Sequence, residues 1–314
     1  KPNAIKQRSK RSPAKRIQCM KILLTGGSGG QVGSEFIELA ASQHIELISL
    51  TAQQLDITQQ EAVSEKVASY QPDIIVNAAA YTAVDKAEDA QDIAYAVNRD
   101  GTTHLANTCK QANIPLLHIS TDYVFDGDKN TPYTETDIPT PNSVYGKSKW
   151  EGEESLRSLH TEHIILRTSW VFSPFGNNFV KTMLRLADKQ ELNVVADQWG
   201  APTSAKSIAQ PLLTLCLKFN AEQTLPWGTY HFSGSPHCNW HQFAQTIFTQ
   251  AHTENLIEQN VTVNAITTEQ YPTRAKRPKN STLDCNKILS TLGIPTPNWE
   301  ADLHEMIRQL KTTQ

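Results

Sequence analysis

Short, wholly apolar runs alternate with helix-like segments through residues 21–121, and this alternation limits the chain to few folds. The runs are KILLTG (21–26), IELISL (45–50), DIIVNAA (73–79) and PLLHIST (115–121). Between them lie VGSEFIELAASQ (32–43), TQQEAVSEKVASY (58–70), with Thr58 as its predicted N-cap, and AYAVNRDGTTHLANTCKQA (94–112). Strands that are apolar throughout are typical of a parallel sheet covered on both faces. The alternation predicts a doubly wound, Rossmann-like α/β domain.

The second half of the chain is less regular and predicts a smaller α/β domain that binds the substrate. HIILRTSWVF (163–172) and GTYHFSG (228–234) are predicted strands, and SAKSIAQPLLTLCLKF (204–219) is a predicted helix. Polar stretches containing proline, such as DQWGAPTS (197–204), separate them. We predict a dinucleotide-binding domain from residues 20–172 and 204–234, with residues 173–203 and 235–314 forming the smaller domain.

The charge is distributed unevenly, which bears on possible partners. Residues 1–19 hold seven basic residues and no acid, and we expect them to form a disordered extension. Removing these seven from the 29 basic residues leaves 22 against 32 acidic residues, a net charge of −10. Such a body is a poor candidate for nucleic acid. No apolar run reaches the length of a membrane span, and five cysteines without a C-x-x-C pair indicate a reducing cytoplasm.

A glycine loop, GGSGGQVG (26–33), joins the first predicted strand to the first helix. Its Gly27, Gly30 and Gly33 have the G-x-x-G-x-x-G spacing, which allows a tight turn and a close approach of a pyrophosphate to the backbone. No G-K-[ST] follows, which disfavours a nucleoside triphosphate. The loop predicts a dinucleotide site, and the alternative is a glycine-rich turn without a ligand.

The end of the second predicted strand bears on the choice of cofactor. An acid there would hold the ribose of NADH, and an arginine would hold the 2′-phosphate of NADPH. The chain instead has Thr51, Gln53 and Gln54, with Asp56 later. The missing acid favours NADPH, and we expect NADH to be accepted as well.

Tyr145 and Lys149 form the Y-x-x-x-K pattern that makes tyrosine a general acid. At i and i+4 both project from one face of a helix, and a lysine cation beside the phenol would lower the pKa of the tyrosine. Ser120 and Thr121 come at the end of the fourth predicted strand, where open α/β sheets bind ligands. A surface pair on an ordinary helix is the alternative, but the order of loop, hydroxyl and Y-x-x-x-K favours a reductase.

These motifs resemble the extended short-chain dehydrogenases/reductases and, among them, the dTDP-4-dehydrorhamnose reductase family. The matching segments are GGSGGQVG, DIIVNAAAYTAVDKAE, STDYVFDG, YGKSKWEGE, LRTSWVF, GNNFVKTMLRLA, DQWGAPTS and RPKNSTLDC. The resemblance implies reduction of the C4 ketone of dTDP-4-dehydro-L-rhamnose to dTDP-L-rhamnose, the last step of dTDP-rhamnose biosynthesis. It implies NADPH or NADH as the cofactor.

The same resemblance implies roles for individual residues. The catalytic residues are Thr121, Tyr145 and Lys149. The cofactor-binding residues are Gly27, Gly30, Gln31, Val32, Gly33, Asp56, Ile57, Ala78, Ala79, Ala80, Tyr145 and Lys149. The substrate-binding residues are Thr121, Asp122, Tyr123, Trp170, Asn177, Asn178 and Phe179. Asn98 also resembles a residue of the fourth structural position in these proteins.

A metal site is not expected. Some family members are thought to dimerise around a metal held by glutamates. Glu35 matches one of those positions, but Lys206 lies where a further glutamate would be, so we expect a monomer or a weak homodimer. In HCNWH (237–241), Asn239 is the predicted cap of a helix, and the histidines are not predicted ligands.

Two other functions stay open from the sequence. The regulatory subunit of methionine adenosyltransferase resembles this family and binds a dinucleotide without catalysing this reaction. A sister reductase acting on another 4-keto-6-deoxy nucleotide sugar is the second alternative. Intact Thr121, Tyr145 and Lys149 favour an enzyme over the regulatory subunit.

Overall fold

A computed structural model describes residues 19–259 and 261–312. The predicted N-terminal extension, apart from Cys19, lies outside the described residues. In the described part of the chain, no helix is both long enough and apolar enough to cross a membrane.

The chain forms strands and helices in mixed order. The strands are β1 (Met20–Thr25), β2 (Ile45–Leu50), β3 (Ile74–Asn77), β4 (Leu116–Thr121), β5 (His163–Thr168), β6 (Val171–Phe172), β7 (Glu191–Val195), β8 (Trp199–Gly200), β9 (Thr203–Ser204), β10 (Gly228–His231), β11 (Cys238–Asn239) and β12 (Thr262–Ile266). The helices are α1 (Gln31–Ala40), α2 (Gln60–Tyr70), α3 (Val84–Ala87), α4 (Gln91–Tyr95), α5 (Gly101–Ala112), α6 (Val144–Leu159), α7 (Phe179–Arg185), α8 (Ala205–Glu222), α9 (Trp240–Thr253), α10 (Asn286–Leu292) and α11 (Trp299–Thr312). A π-helical turn (Ala96–Asp100) joins α4 to α5, and a 3-10 turn (Asp122–Val124) follows β4.

The main sheet has six parallel strands in the order β2-β1-β3-β4-β5-β10. The strand order reverses between β1 and β3, which is where open α/β sheets bind ligands. The predicted doubly wound fold is confirmed.

Alternate residues of the strands pack into two different apolar cores, as expected for a sheet with helices on both faces. Ile22 and Ile164 pack on one face with residues of α1 and α8. Leu23 and Ile165 pack on the other face with residues of α2, α5 and α6. This burial on both sides explains why the strands have no polar alternation.

A separate apolar core lies in the smaller part of the molecule. It gathers Val180 of α7, Phe243 of α9 and Trp299 of α11, with Val194 of β7 at its edge. The predicted domain limits stay a prediction, but one observation refines them: Leu283 and Ile288, assigned to the smaller domain, pack in a core of the main sheet.

Three local predictions need correction. The predicted strand 163–172 is two strands, because Trp170 has a φ of 47° and turns the chain out of the main sheet. Thr58 does not cap α2: its hydroxyl donates to Asp56 instead, and the helix begins at Gln60. The helix predicted from residue 94 already starts at Gln91, with α4.

Candidate active site

The glycine loop lies at the reversal of strand order. It leaves β1, turns at Gly26, whose φ is 68°, and enters α1 at Gln31. A Cβ on Gly33 would lie 2.2 Å from the carbonyl oxygen of Gly26, so helix and loop pack without room for a side chain. A Cβ on Gly27 would lie 2.1 Å from the Oγ of Ser49. These two glycines therefore shape the turn.

The N-terminus of α1 faces the cleft without a competing anion. Gly30 precedes the helix, no side chain caps it, and the first turn has no acidic residue. Gly29, Gly30, Gln31 and Val32 all line the cleft. Free N–H groups at the positive end of a helix dipole fit a pyrophosphate. The residues present therefore fit a dinucleotide.

The three predicted catalytic residues line the same cleft, whose volume is about 630 Å³. Thr121 ends β4, and Tyr145 and Lys149 lie on α6, which Ser143 caps by accepting a hydrogen bond from the N–H of Gly146. A Cβ on Gly146 would lie 2.1 Å from the carbonyl oxygen of Tyr123, so α6 sits directly against the turn after β4. This close packing brings Thr121 and Tyr145 together.

The electrostatics of Tyr145 differ from the prediction. Burial raises the pKa of Tyr145, and a side-chain hydrogen bond with Thr121 lowers it only partly. The sequence predicted that Lys149 would lower this pKa. Lys149 Nζ instead donates to the carbonyl oxygen of Ile119 at 2.7 Å and lies 3.3 Å from His118 Nε2. In the described structure, burial rather than Lys149 has the largest effect on the pKa of Tyr145.

Asp122 controls the proton of Thr121. The Thr121 hydroxyl donates to Asp122 Oδ1 at 2.9 Å and accepts from the N–H of Tyr123 at 3.2 Å. Burial raises the pKa of Asp122 to about 6. Asp122 is therefore ionised at neutral pH and keeps the single proton of Thr121 turned toward itself.

An aromatic pair closes the side of the cleft formed by the smaller core. Trp170 stacks on Trp240 with ring centroids 3.6 Å apart and planes 10° from parallel. A Cβ on Gly200 would lie 2.4 Å from the Trp170 indole. The Trp170 ring thus touches Gly200 and Trp240, and both tryptophans line the cleft.

The other predicted site residues fall into two groups. Those that line the cleft are Gly30, Gln31, Val32, Ala78, Ala80, Asp122, Tyr123, Trp170 and Asn177. Those that support it from outside are Gly27, Gly33, Asp56, Ile57, Ala79, Asn178 and Phe179. Asn178 caps α7 and donates to Gln31 Oε1 at 2.9 Å, which ties α7 to the glycine loop.

The outer residues have recognisable structural contacts. Ile57 is buried below the start of α5, where a Cβ on Gly101 would touch it. Asp56 accepts from the N–H of Thr58 at 2.9 Å. Phe179 packs on Trp240 with ring centroids 4.7 Å apart. Their predicted ligand contacts stay predictions.

Asn98 and Glu35 hold structural hydrogen bonds. Asn98, in the π-helical turn, pairs with both backbone groups of Tyr81 and donates to Ser148 Oγ at 3.0 Å. Glu35 accepts from Ser173 Oγ at 2.8 Å. Lys206 pairs with Glu305 at 2.5 Å. The prediction that Asn239 caps a helix is confirmed, since its side chain accepts from Gln242 N–H in a capping box.

Comparison with known proteins assigns the family. A family model described as the RmlD substrate binding domain matches residues 20–312. The dTDP-4-dehydrorhamnose reductase of Aggregatibacter actinomycetemcomitans is 47% identical over 286 residues, which cover 90% of this chain and 97% of that protein. This chain belongs to the dTDP-4-dehydrorhamnose reductase family.

Solved structures of the family share the fold over nearly the whole chain. The dTDP-4-dehydrorhamnose reductase of Clostridium acetobutylicum is 39% identical with a TM-score of 0.86, covering 93% of this chain and 100% of that one. The Bacillus anthracis reductase, solved in complex with NADP, is 35% identical with a TM-score of 0.85 at the same coverage. The predicted family and the predicted class, an NAD(P)H-dependent oxidoreductase, are confirmed.

Three cleft or near-cleft residues of this family member were not singled out from the sequence. Trp240 was seen only as the start of a helix. Arg277 lies in the quoted segment RPKNS but received no role, although it lines the cleft and donates to the Tyr123 hydroxyl at 2.7 Å. His118 precedes Ser120 in the strand and lies within an otherwise apolar run. No spacing rule signals them, because each comes from a different element.

Proposed function

We propose that this protein reduces the C4 ketone of dTDP-4-dehydro-L-rhamnose with NADPH, giving dTDP-L-rhamnose as the last step of dTDP-rhamnose biosynthesis. The observation that carries the proposal is the placement of Tyr145, bonded to Thr121, in one cleft with the glycine loop. The activity for which the relatives are named and the NADP complex of one of them support it.

The residues that would hold the cofactor lie on two neighbouring loops. Gly30, Gln31 and Val32 present the start of α1 to the pyrophosphate, and Ala78 and Ala80 follow β3 beside it. When bound, NADPH supplies the hydride for C4 of the sugar. The small side chains of these loops leave room for its approach.

Tyr145 supplies the proton for the C4 oxygen. Because its pKa is raised, the phenol is protonated at neutral pH and ready to act as the acid. The Thr121 hydroxyl has one proton, which it can donate either to Asp122 Oδ1 or to the oxygen of Tyr145. Once Tyr145 has lost its proton, the Thr121 proton turns to the phenolate and stabilises it.

The substrate would occupy the side of the cleft near the smaller core. Trp170 and Asn177 border the space for the sugar, and Arg277 offers a cation for the diphosphate. Arg277 is now paired with Asp85 at 2.5 Å and with the Tyr123 hydroxyl, so it is already positioned. We expect the protein to act as a monomer or weak homodimer in the cytoplasm.

The test is oxidation of NADPH with the keto sugar made in a coupled reaction, followed by identification of the product. Wild-type protein should oxidise NADPH and yield dTDP-L-rhamnose. NADPH binding without oxidation would instead support the regulatory subunit. A product with another configuration at C4 would support the sister reductase.

A further inference from the structure

A continuous chain of buried polar groups runs from the cofactor loop to Lys149. The N–H of Ala79 donates to Asn77 Oδ1 at 3.1 Å, and Thr25 Oγ1 donates to the same oxygen at 2.6 Å. Asn77 Nδ2 lies 2.9 Å from His118 Nδ1, and His118 Nε2 lies 3.3 Å from Lys149 Nζ. Asn77, His118 and Lys149 are all buried. Because Asn77 and His118 are 0% exposed, their hydrogen bonds must be made with neighbouring protein groups.

The backbone fixes the direction of the chain. A backbone N–H can only donate, so the Asn77 atom facing Ala79 must be the oxygen. The amide NH₂ then faces His118 Nδ1, which must accept. A neutral histidine that accepts at Nδ1 carries its proton on Nε2. That N–H faces Lys149.

The last link is satisfied by only one form of the lysine. An ammonium has three donors and no acceptor, so beside the Nε2–H two donors would face each other. An uncharged amine has a lone pair for the Nε2–H and still donates to the Ile119 carbonyl oxygen at 2.7 Å. We propose that the Ala79–Asn77–His118 chain stabilises the uncharged amine of Lys149 relative to its ammonium in the cofactor-free protein, and that NADPH binding shifts this balance back toward the ammonium.

If Lys149 were an ammonium, two hydrogen-bond donors would have to face each other somewhere among Ala79, Asn77, His118 and Lys149. If His118 Nε2 accepted from Lys149, the proton would move to Nδ1 and face the Asn77 NH₂. Rotating the Asn77 amide would remove that conflict but would place its NH₂ against the Ala79 N–H. A buried unmet donor costs about 1–3 kcal/mol, so every route to the ammonium meets a similar penalty.

The surrounding charges do not override this preference. Burial lowers the pKa of Lys149 to about 8, against the opposing effect of Glu153 one turn along α6. Arg167 of β5 and Arg157 pair with the Glu153 carboxylate. Burial also lowers the pKa of His118, next to His163 of β5, whose own pKa is lowered. Tyr145 is buried and neutral.

The proton return follows from the charge of the cofactor. This step rests on the NADPH site proposed above. The phosphates of NADPH bring negative charge into the cleft. Its hydroxyls offer hydrogen-bond acceptors to the Lys149 ammonium, and the cofactor-free protein lacks these acceptors. His118 and Asn77 are therefore positioning residues, which act on the reaction through Lys149.

The first experiment measures the protonation of Lys149 without cofactor. Lysine labelled with ¹³C at Cε is titrated by NMR, and Lys149→Met identifies the signal. Wild-type Lys149 should titrate near 8. In His118→Gln, whose amide oxygen can accept from the ammonium, and in Asn77→Asp, which places the histidine proton on Nδ1, the pKa should rise by about one unit or more.

His160→Gln is the matched control, because His160 is also buried but bonds the carbonyl oxygen of Ile114. It should leave the titration of Lys149 unchanged. A wild-type pKa near the ordinary value of about 10.4 would overturn the proposal without any variant. So would a folded His118→Gln or Asn77→Asp protein that titrates like wild type.

The second experiment measures proton uptake when NADPH binds, by calorimetry in buffers of different ionisation enthalpy. At about pH 8.5 wild type should take up about 0.5–1 proton per site, and His118→Gln should take up much less. NADPH binding, followed separately by its fluorescence, distinguishes the two proposals. Absence of binding contradicts the proposed function, whereas binding without proton uptake contradicts the inference.

Discussion

At the residue scale, Tyr145 shows how burial prepares an acid. A phenol surrounded by apolar groups resists ionisation, so it keeps its proton until the substrate oxygen takes it. Thr121 is bonded to the same phenol and can turn its own proton to the phenolate. The end of β4 thus positions Thr121, the proposed stabilising group, and α6 positions Tyr145, the proposed acid.

Replacing Tyr145 by phenylalanine tests this role. The ring and its packing stay, but the proton donor is lost, so kcat should fall by about 10²–10⁴-fold. NADPH affinity, measured by fluorescence, should change little because the glycine loop is untouched. Tyr123→Phe, in the same cleft, is the comparison and should lose far less activity. A Tyr145→Phe protein with half the wild-type kcat would exclude Tyr145 as the acid.

Asp122 should make stability depend on pH. Its pKa is raised to about 6 in the folded protein, above that in the unfolded chain. The folded state therefore holds this proton more tightly, and Asp122 lowers stability as the pH rises from about 4 to about 6. Asp122→Asn removes this effect but also removes the charged acceptor of the Thr121 hydrogen bond. With both changes included, the free energy of unfolding should rise by about 1–2 kcal/mol at about pH 7.5.

Urea unfolding at about pH 5 and about pH 7.5 measures the difference between Asp122→Asn and wild type. The extra free energy of unfolding of Asp122→Asn over wild type should be smaller at about pH 5 than at about pH 7.5. A gain that is equal at both values would show that the titration of Asp122 does not set it.

At the element scale, α6 carries two of the proposed catalytic residues on one face. Tyr145, Lys149 and Glu153 follow each other at intervals of four residues. Glu153 anchors the helix to β5, since Arg167 donates to its two oxygens at 3.0 and 2.6 Å in a fully buried pair. This pair fixes the helix against the sheet at the level of the catalytic residues.

Arg167→Met should destabilise the protein by about 3–5 kcal/mol, because it leaves a buried carboxylate without its main partner. Arg157→Met removes a more exposed partner of the same carboxylate and should cost less than about 1 kcal/mol. Adding Glu153→Gln to Arg167→Met should recover much of the loss. Urea unfolding of the three proteins measures this, and a double variant no more stable than Arg167→Met would contradict it.

The sequence predicted elements well where pattern alone determines them. The apolar runs of β1 to β5 could only be buried strands, and Tyr145 and Lys149 had to share a face of α6. Two features depend on contacts between distant residues and were missed. Trp170 leaves the strand, where its ring stacks on Trp240, and Lys149 turns to the sheet, where the carbonyl oxygen of Ile119 in β4 accepts its hydrogen bond.

At the scale of the whole molecule, the cleft has two sides that can be altered separately. We propose that the loops after β1 and β3 form its cofactor side, and that Trp170, Gly200 and α9 form its sugar side. The sequence predicted the first side from spacing. The second needed the fold, because Gly200 and Trp240 reach Trp170 from remote parts of the chain.

Gly200→Ala should disturb only the sugar side. The new methyl group would overlap the Trp170 indole, so the ring must shift. A misplaced positioning group should lower kcat/KM for the keto sugar by about 10–10²-fold. The dissociation constant of NADPH, measured by fluorescence on the same protein, is the internal control. Equal losses for sugar and cofactor would contradict a two-sided cleft.

Thr51→Asp should alter only the cofactor side. The segment after β2 holds Thr51, Gln53 and Gln54 and no charge, so wild type should prefer NADPH over NADH by less than about a hundredfold. The new carboxylate would repel the 2′-phosphate and move the preference toward NADH. The ratio of kcat/KM for the two cofactors measures this. A wild-type ratio in the thousands would mean that a charged residue elsewhere reaches the ribose.

The packing of Leu283 and Ile288 into the same apolar core as Ile22 has a consequence for synthesis on the ribosome. The first five strands of the main sheet emerge by residue 168, but part of the core beneath them is supplied more than a hundred residues later. At about 5–20 residues per second, that delay is on the order of ten seconds. During translation part of the apolar surface of the sheet stays uncovered in this interval, so the core of the main sheet is completed only after residue 288 has been made.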